Sequence, residues 1–320
     1  MKKWYSVIFS LLLLVGVLAG CGEDAKTNKN SDSSKTEQKE EALFPVTIKD
    51  ALDQEVVIDK APEKIVSIIP SNTEVAYELG LGEKIVGVSD YDNFPEEVTK
   101  KEKVGGTELN IEKIISLKPD LVLAHASGAH NSTEGLQQLR DAGIDVLVVN
   151  DAQSFEQVYQ SIDMIGKATG EREKSEQLIQ SMKDKVAEIK EKAASIQDKK
   201  SVYIEVSPAP DIYTTGKNTF MAEMLSIINA ENVAGDLEGW AKVDQEAIIQ
   251  KNPDVIITTY GYYVEDPVGK LTKRKGWQDV SAVKNKQIFD VNSDIVTRSG
   301  PRLAEGVEEL AKAVYPENFK

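Results

Sequence analysis

The sequence is poor in the residues that carry covalent and metal chemistry. Its 320 residues include one cysteine, Cys21, which excludes an intramolecular disulfide. Its two histidines, His125 and His130, are too few for a self-contained multi-histidine metal site, and their spacing of five is not the i, i+4 pairing of a zinc helix. No G-x-S-x-G, H-E-x-x-H or C-x-x-C occurs, so the usual signatures of a surface hydrolase or metal enzyme are missing. Basic residues are outnumbered 38 to 53 by acidic ones, a balance unsuited to nucleic acid. The apolar run Val7–Ala19 is broken by Ser10 and Gly16 and is short for a transmembrane helix. What remains, 41% apolar and 28% charged, is the composition of a soluble globular protein with room for two domains.

The chain starts with an address. Lys2 and Lys3 precede the apolar run, the layout of a secretory signal over 1–20. The run ends Leu18-Ala19-Gly20-Cys21, which resembles the bacterial lipoprotein motif and implies that Cys21 is lipidated and becomes the mature N-terminus. A plain membrane anchor with a chance cysteine is the alternative, but the sole cysteine occupies the one position the motif demands. Residues 21–43 hold almost nothing apolar and cannot bury enough surface to fold, so they read as a flexible tether.

Two α/β lobes are expected beyond it, over 44–169 and 199–320. In the first, 46–58 reads as a hairpin, and strands end at Pro70, Tyr91, His125 and Asn150 with helices between them. Ser71 or Asn72 can cap the first helix. In the second, 200–206 reads as a strand, 207–218 as a loop and 219–232 as a helix, and 244–260 and 276–292 each read as helix, turn and strand. Ser299 is a candidate cap and Pro301 a first-turn residue for the last helix. This alternation indicates doubly wound parallel sheets, whose ligands bind beyond the carboxyl ends of the strands, where Tyr91 and His125 fall.

Between the lobes, over 170–198, lies a stretch with no glycine or proline from Glu171 to Ser195. Leu178, Met182, Val186 and Ile189 form a narrow apolar stripe in it. As a helix it spans roughly 37 Å at about 1.5 Å per residue. Alone it reads equally as an interlobe strut, a long surface helix or a dimerising segment. An internal repeat favours the strut: NIEKIISLKPDLVLA (110–124) aligns without a gap with DQEAIIQKNPDVIIT (244–258). Each half has a cap (Asn110, Asp244), a glutamate two places on (Glu112, Glu246), an isoleucine pair, a Pro-Asp turn and an apolar strand. Matched exposed carboxylates could dock a two-fold partner with two basic patches. Acids in a first helical turn are also favourable through the helix dipole, by about 0.3–1 kcal/mol, so spacing leaves both readings open.

The stretches APEKIVSIIPSNTEVAYELG (61–80), GVSDYDNFP (87–95), NIEKIISLKPDLVLA and the pattern SDxxxRSGPR (293–302) resemble the substrate-binding lipoproteins of bacterial ABC importers for cobalamin, ferric siderophores and haem. The cobalamin-binding branch is the nearest, and the likeness runs from about Val46 to the C-terminus. It implies two α/β lobes joined by one long helix, a ligand cleft between them and little closure on binding. It implies an extracytoplasmic, lipid-anchored monomer with no enzymatic activity and no cofactor of its own. It also implies delivery to a permease dimer with ATPase subunits, whose arginines meet Glu112 and Glu246. For the pocket it implies Tyr91 against a corrin ring, Asp294 and Arg298 as a polar pair, and Trp240 as a cleft aromatic. Core packing for Trp240 and a helix-cap contact for Arg298 are the plainer readings, but both residues fall in loops, where binding groups concentrate. Ser71 and Tyr260 complete the expected ligand contacts, with Tyr262 and Tyr263 adding aromatic surface.

Two departures bear on the ligand. His125 stands where the cobalamin branch has a tryptophan, and a second tryptophan is replaced around Gly106. An imidazole at 125 can coordinate cobalt or iron carried by the ligand, and a tyrosinate can bind ferric iron. The expectation is a corrinoid ligand, with a ferric siderophore or haem as the alternative. An adhesin or structural lipoprotein would have no use for polar residues facing each other across a cleft.

Overall fold

The structure, a computed structural model, describes residues 43–319. The signal segment, Cys21 and the tether as far as residue 42 lie outside the described residues. The chain opens with an antiparallel hairpin, β1 (Val46–Lys49) and β2 (Glu55–Ile58). Alternate residues Val46, Ile48, Val56 and Ile58 are buried, as the two-residue period of a half-covered ribbon requires. Asp50 closes the turn by accepting from the Leu52 and Gln54 amides at 2.8 and 3.0 Å.

Lobe one is a parallel sheet of β3 (Ile65–Ser67), β4 (Ile85–Val88), β5 (Glu102–Lys103), β6 (Leu121–His125) and β7 (Asp145–Val149), in the order β5-β4-β3-β6-β7. Its helices are α1 (Pro70–Glu78), α2 (Ile111–Leu117), α3 (Ala126–Ala129), α4 (Thr133–Asp141) and α5 (Phe155–Thr169). The long α6 (Arg172–Ala193) follows. Lobe two contains β8 (Ser201–Ser207), β9 (Tyr213–Thr215), α7 (Phe220–Ile227), β10 (Glu231–Asn232), β11 (Trp240–Lys242), α8 (Gln245–Lys251) and β12 (Val255–Thr258). It ends with α9 (Pro267–Thr272), α10 (Ser281–Lys284), β13 (Ile288–Asp290), α11 (Ser293–Val296) and α12 (Leu303–Val314).

The expected two-lobed α/β architecture is present, with three local differences. The lobe-two sheet is mixed: β10, β8, β12 and β13 are parallel, but β9 and β11 add an antiparallel edge within what reads as a loop. The segment 208–212 is too short for a crossover, so β9 can only turn back on β8. Helix α1 starts at Pro70, with Ile69 as the residue before it, so Ser71 and Asn72 lie inside the helix and neither caps it. Proline suits the first helical position because it has no N–H to leave unsatisfied. Helix α12 starts at Leu303 with no side-chain cap, so Ser299 does not fill that role.

Helix α6 has 22 residues, which gives it about 33 Å of length. Met182 and Ile189 of its stripe are buried, and Leu178 and Val186 pack partly buried beside them. The stripe meets α5 on one side and α12 and α7 on the other. Its consequence is one continuous apolar core, running from β1 and α1 through α5 and α6 to α7, α12 and Phe319. Each lobe has a separate second core on the other face of its sheet, around Ile114 and Leu139 in lobe one and Trp277 and Ile256 in lobe two.

The repeat is reproduced in the geometry of its turn. Helices α2 and α8 both end on a left-handed residue, Lys118 (φ 51°) and Asn252 (φ 50°), followed by a proline that cannot continue the helix. The next residue is Asp120 or Asp254. Asp120 Oδ2 accepts from the Glu63 and Lys64 amides at 2.9 Å each, and Asp254 Oδ2 accepts from the Ser201 amide and hydroxyl at 2.9 and 2.7 Å. Each aspartate thus ties the start of one strand to the start of its parallel neighbour. Asp254→Ala is expected to lower stability by about 1–3 kcal/mol, since the half-buried Ser201 amide and hydroxyl lose their acceptor, and Asp120→Ala by less, since the Glu63 and Lys64 amides it serves are exposed. Urea unfolding checks this, and a larger loss from Asp120→Ala than from Asp254→Ala would count against it.

Candidate functional site

The cleft is built on the carboxyl ends of β3, β4 and β6. After β4 the chain turns through Ser89–Pro95. Asp92 Oδ2 accepts from the Ser89 amide and hydroxyl at 2.8 and 2.6 Å, and Lys103 Nζ donates to the Ser89 and Asp92 carbonyls at 3.0 and 2.9 Å. Burial raises the Asp92 carboxyl above the usual carboxylate range. This braced turn holds Tyr91 out, 58% exposed, with its hydroxyl 2.8 Å from Thr107 Oγ1. The Tyr91 ring lies against Gly106, where a Cβ would come within 3.0 Å of it.

At the end of β6, His125 is buried and precedes α3. Its Nδ1 accepts from the Ser127 amide at 3.3 Å and lies 2.8 Å from the Ser127 hydroxyl. Burial holds the imidazole below its ordinary pKa, against the pull of Asp151 and the Asn150 carbonyl. The ring is therefore neutral, and its Nδ1 lone pair is in use; metal coordination through that nitrogen would first break the cap on α3. His130 is exposed and borders a groove with Glu134 that shares Thr107, Leu109, Asn131 and Ser132 with the cavity beside Tyr91.

Two adjoining cavities share Ile69, His125 and Ser127. One, of about 270 Å³, is lined by Tyr91, Ile68, Leu109 and Leu136. The other, of about 240 Å³, is lined by Ser71, Asp151, Trp240 and Arg298. Trp240 comes from lobe two. Its ring meets Phe220 edge-on at 5.4 Å, and its indole N–H donates to Gln153 Oε1 of lobe one at 3.1 Å.

The polar pair Asp294 and Arg298 belongs to a larger interlobe cluster. Arg298 Nη1 donates to Glu74 Oε1 at 3.0 Å and to Asn93 Oδ1 at 2.8 Å, and its Nη2 pairs with Asp294 at 2.7 Å. Asn93 Nδ2 donates to Asp294 Oδ2 at 2.8 Å, closing a ring. Arg302 grips Glu74 with two bonds of 2.9 and 2.7 Å and stacks on Phe94 at 3.9 Å. The Glu74 side chain is only 1% exposed, and the arginines 16% and 12%, so water screens these pairs little. Glu74, Asn93 and Arg302 are absent from the sequence-based site. Arg302 lay within the quoted pattern at 293–302, and Glu74 was an acid preceded by the polar Ser71, Asn72 and Thr73 and followed by Val75.

Tyr260 requires a correction. It is 1% exposed, and its hydroxyl donates to Glu205, which also accepts from Arg274 at 2.7 and 2.6 Å and from Tyr203 at 3.3 Å. Burial pushes the Tyr260 phenol up, so it stays protonated inside lobe two and offers no surface to a ligand. Its neighbours Tyr262 and Tyr263 carry the exposed aromatic surface of that loop, 78% and 56% exposed. Burial raises the Tyr263 phenol too, so a tyrosinate is disfavoured there as well.

Glu112 and Glu246 are exposed at the second position of α2 and α8. Asn110 and Asp244 supply the caps, accepting from the Lys113 and Glu246 amides at 2.9 Å each. The two glutamate side chains have no partner among the described residues. No described helix is long and apolar enough to cross a membrane.

This geometry, two α/β lobes on one helix with a polar and aromatic cleft between them, defines a class of solute receptors. The chain belongs to the periplasmic binding protein family, whose profile matches residues 65–295. It is 54% identical, over the full length of both chains, to an uncharacterized ABC transporter substrate-binding lipoprotein of Bacillus subtilis. It is thus an ABC-transporter substrate-binding protein, a class that binds and delivers solutes without transforming them. A vitamin B12-binding protein of Vibrio cholerae is 29% identical over 251 residues, 78% of this chain and 87% of that one. A solved Staphylococcus epidermidis structure, described as a possible iron-binding periplasmic solute-binding protein, matches with TM-score 0.74 and 40% identity over 80% of this chain and all of that one. The haem-binding protein RhuT of Roseiflexus matches with TM-score 0.73 and 26% identity over 80% of this chain and 99% of that one.

Removing the Glu74 carboxylate leaves the desolvated Arg302 without a counter-charge and Arg298 with Asp294 alone. Glu74→Ala is expected to cost about 3–5 kcal/mol in urea unfolding, the range for breaking a buried pair from one side. Lys49→Ala, which removes an exposed ion pair with Asp53, should leave the midpoint nearly unchanged.

Proposed function

We propose that this protein is a lipid-anchored, extracytoplasmic receptor that captures a corrinoid and delivers it to the permease dimer of an ABC importer. The observation that carries the reading is the cleft floor from Ile69 to His125, with Tyr91 of lobe one at one end and Trp240 of lobe two at the other. Aromatic faces suit a large flat macrocycle, and Asp294 and Arg298 suit the amides at its edge. The relative named a vitamin B12-binding protein supports the same ligand class. A ferric siderophore or haem is the second reading. It is favoured by His125 in the cleft and by the solved relatives described as iron-binding and haem-binding. Any cobalt or iron arrives with the ligand.

Anchoring rests on Cys21 and on the lipoprotein description of the Bacillus relative. Docking rests on Glu112 and Glu246, one at the same position of the repeat in each lobe, which suits a two-fold partner carrying arginines. Release then follows when the ATP-driven permease changes shape.

Titration of the detergent-purified protein with cyanocobalamin, haemin and ferric siderophores tests the ligand. Cyanocobalamin should quench Trp240 fluorescence and saturate at one equivalent. Binding of haemin alone, with a Soret shift that disappears in His125→Ala, would replace the corrinoid reading by the haem one. For docking, Glu112→Arg combined with Glu246→Arg should abolish uptake by cells and leave ligand affinity unchanged. A matching loss of affinity would show that these residues serve the cleft and not the permease.

A further inference from the structure

We infer that Tyr262 and Tyr263 form a further contact with the permease, beside Glu246 and without an equivalent in lobe one. The inference rests on the docking reading above and adds an aromatic anchor to it. Tyr262 and Tyr263 are 78% and 56% exposed, and neither ring lines either cleft cavity. Adjacent aromatic rings turned to water mark a surface for a partner. Their place outside the cavities sets the cleft ligand aside.

The pair is held ready. Asp290 Oδ1 accepts from the Thr258 hydroxyl at 2.6 Å and from the Gly261 amide at 3.1 Å, which fixes the chain as it leaves β12. A Cβ at position 261 would collide with the other oxygen of that carboxylate, so the approach requires glycine. Tyr260 is buried with its hydroxyl on Glu205, and its carbonyl accepts from the Tyr263 and Val264 amides at 3.2 and 3.0 Å. The Tyr263 ring tilts against Tyr260 at 6.2 Å, and Tyr262 meets Tyr263 edge-on at 4.7 Å. Rings fixed in this way have little freedom to lose when a partner closes on them. Tyrosine is also enriched among the few residues that dominate protein interfaces.

Their position joins them to the docking face. Helix α8 leads into β12 through the turn at Asn252, Pro253 and Asp254, so the helix runs back against the strand. The start of α8, with Glu246, therefore lies level with the end of β12, where the tyrosine loop begins. Side chains bridge the two. Arg274 donates to the Tyr260 hydroxyl at 3.4 Å and lies over Trp277, whose indole N–H donates to Gln245 Oε1, next to Glu246, at 3.3 Å. Lobe one lacks the pair. Counting on from the repeat at the same spacing, Gly128 and Ala129 stand where lobe two has Tyr262 and Tyr263, and Ala129 is buried.

The neighbouring charges decide which partner fits. Glu246 and Glu265 are exposed and have no partner among the described residues. A guanidinium drawn to either carboxylate can also lie flat on a tyrosine face. The arginine-bearing permease surface that suits Glu112 and Glu246 thus suits the pair as well. Lys270, Lys273 and Lys275 are exposed further along, in α9 and after it, but an anionic bilayer that met them beside the rings would also meet Glu265 and Asp266.

The test is photo-crosslinking in cells that carry the full chain with p-benzoylphenylalanine in place of Tyr262. Ultraviolet light should give an adduct whose partner sequences as the permease subunit, and Glu112→Arg with Glu246→Arg should remove it. In parallel, Tyr262→Ser combined with Tyr263→Ser should lower cellular uptake of labelled cyanocobalamin about ten-fold, the scale of one interface anchor. Its affinity for cyanocobalamin should stay within about two-fold, and phenylalanine at both positions should restore uptake. Thermal melting verifies that the variants fold; if the serine pair does not, or if cells take up no cyanocobalamin, the adduct decides. An adduct with phospholipid, with a second copy of this chain or with nothing would overturn the contact, as would normal uptake or lost affinity in the serine pair. Those results leave docking through Glu112 and Glu246 standing. Uptake and adduct that both survive Glu112→Arg with Glu246→Arg would overturn the docking reading itself.

Discussion

Met182 and Ile189 are the residues through which the two lobes share one interior. A core that runs from β1 and α1 through α5 and α6 to α12 cannot be parted without exposing apolar surface to water, at about 25 cal/mol per Å². A flexible linker would let the lobes swing at little cost. Here the connection is a helix whose buried stripe belongs to both, and Lys185 of α6 adds a 2.8 Å ion pair to Glu308 of α12. Any swing of one lobe against the other has to break into this shared packing.

The Glu74 cluster is a second tie, and its physics is different. Taking a carboxylate and two guanidinium groups out of water is costly, and their mutual attraction roughly offsets that cost, so such a cluster adds little net stability over apolar packing. What it supplies is geometry. Arg302 is held bidentate and stacked, and Arg298 is aimed by three partners at once. An arginine so constrained reaches the cleft with little conformational freedom left to lose when a ligand binds.

How much of this was legible depended on how local the cause was. Helix α5 was readable because its signals are adjacent: Ser154 accepts from Gln157 N, and Gly170 ends it at φ 80°. The repeat was readable because its two copies align residue by residue, although the bonds of its aspartates reach 53 to 57 positions away. The antiparallel edge of lobe two was missed because β9 and β11 are three residues each, too short for a period to register. Glu74 was missed for a stronger reason. Its partner Arg298 is 224 positions away, and no local pattern distinguishes a helix acid that faces water from one that faces an arginine of the other lobe. Tyr260 failed in the same way: the strand end was read correctly, but the buried Glu205 that draws its hydroxyl inward is 55 positions distant.

Glycine at 106 leaves room that the Tyr91 ring occupies, and the adjacent Thr107 fixes its hydroxyl. A larger residue at 106 would meet that ring at 3.0 Å. His125 lies where the two cavities adjoin. It is buried, neutral and tied to Ser127, and it separates two cavities where a wider ring would project into one. The cavity lining thus has an aromatic ring at each end, Tyr91 and Trp240, with Ile69, His125 and Ser127 shared between the two cavities. Ser71, Asp151 and Arg298 line the Trp240 side, so its polar groups come from both lobes.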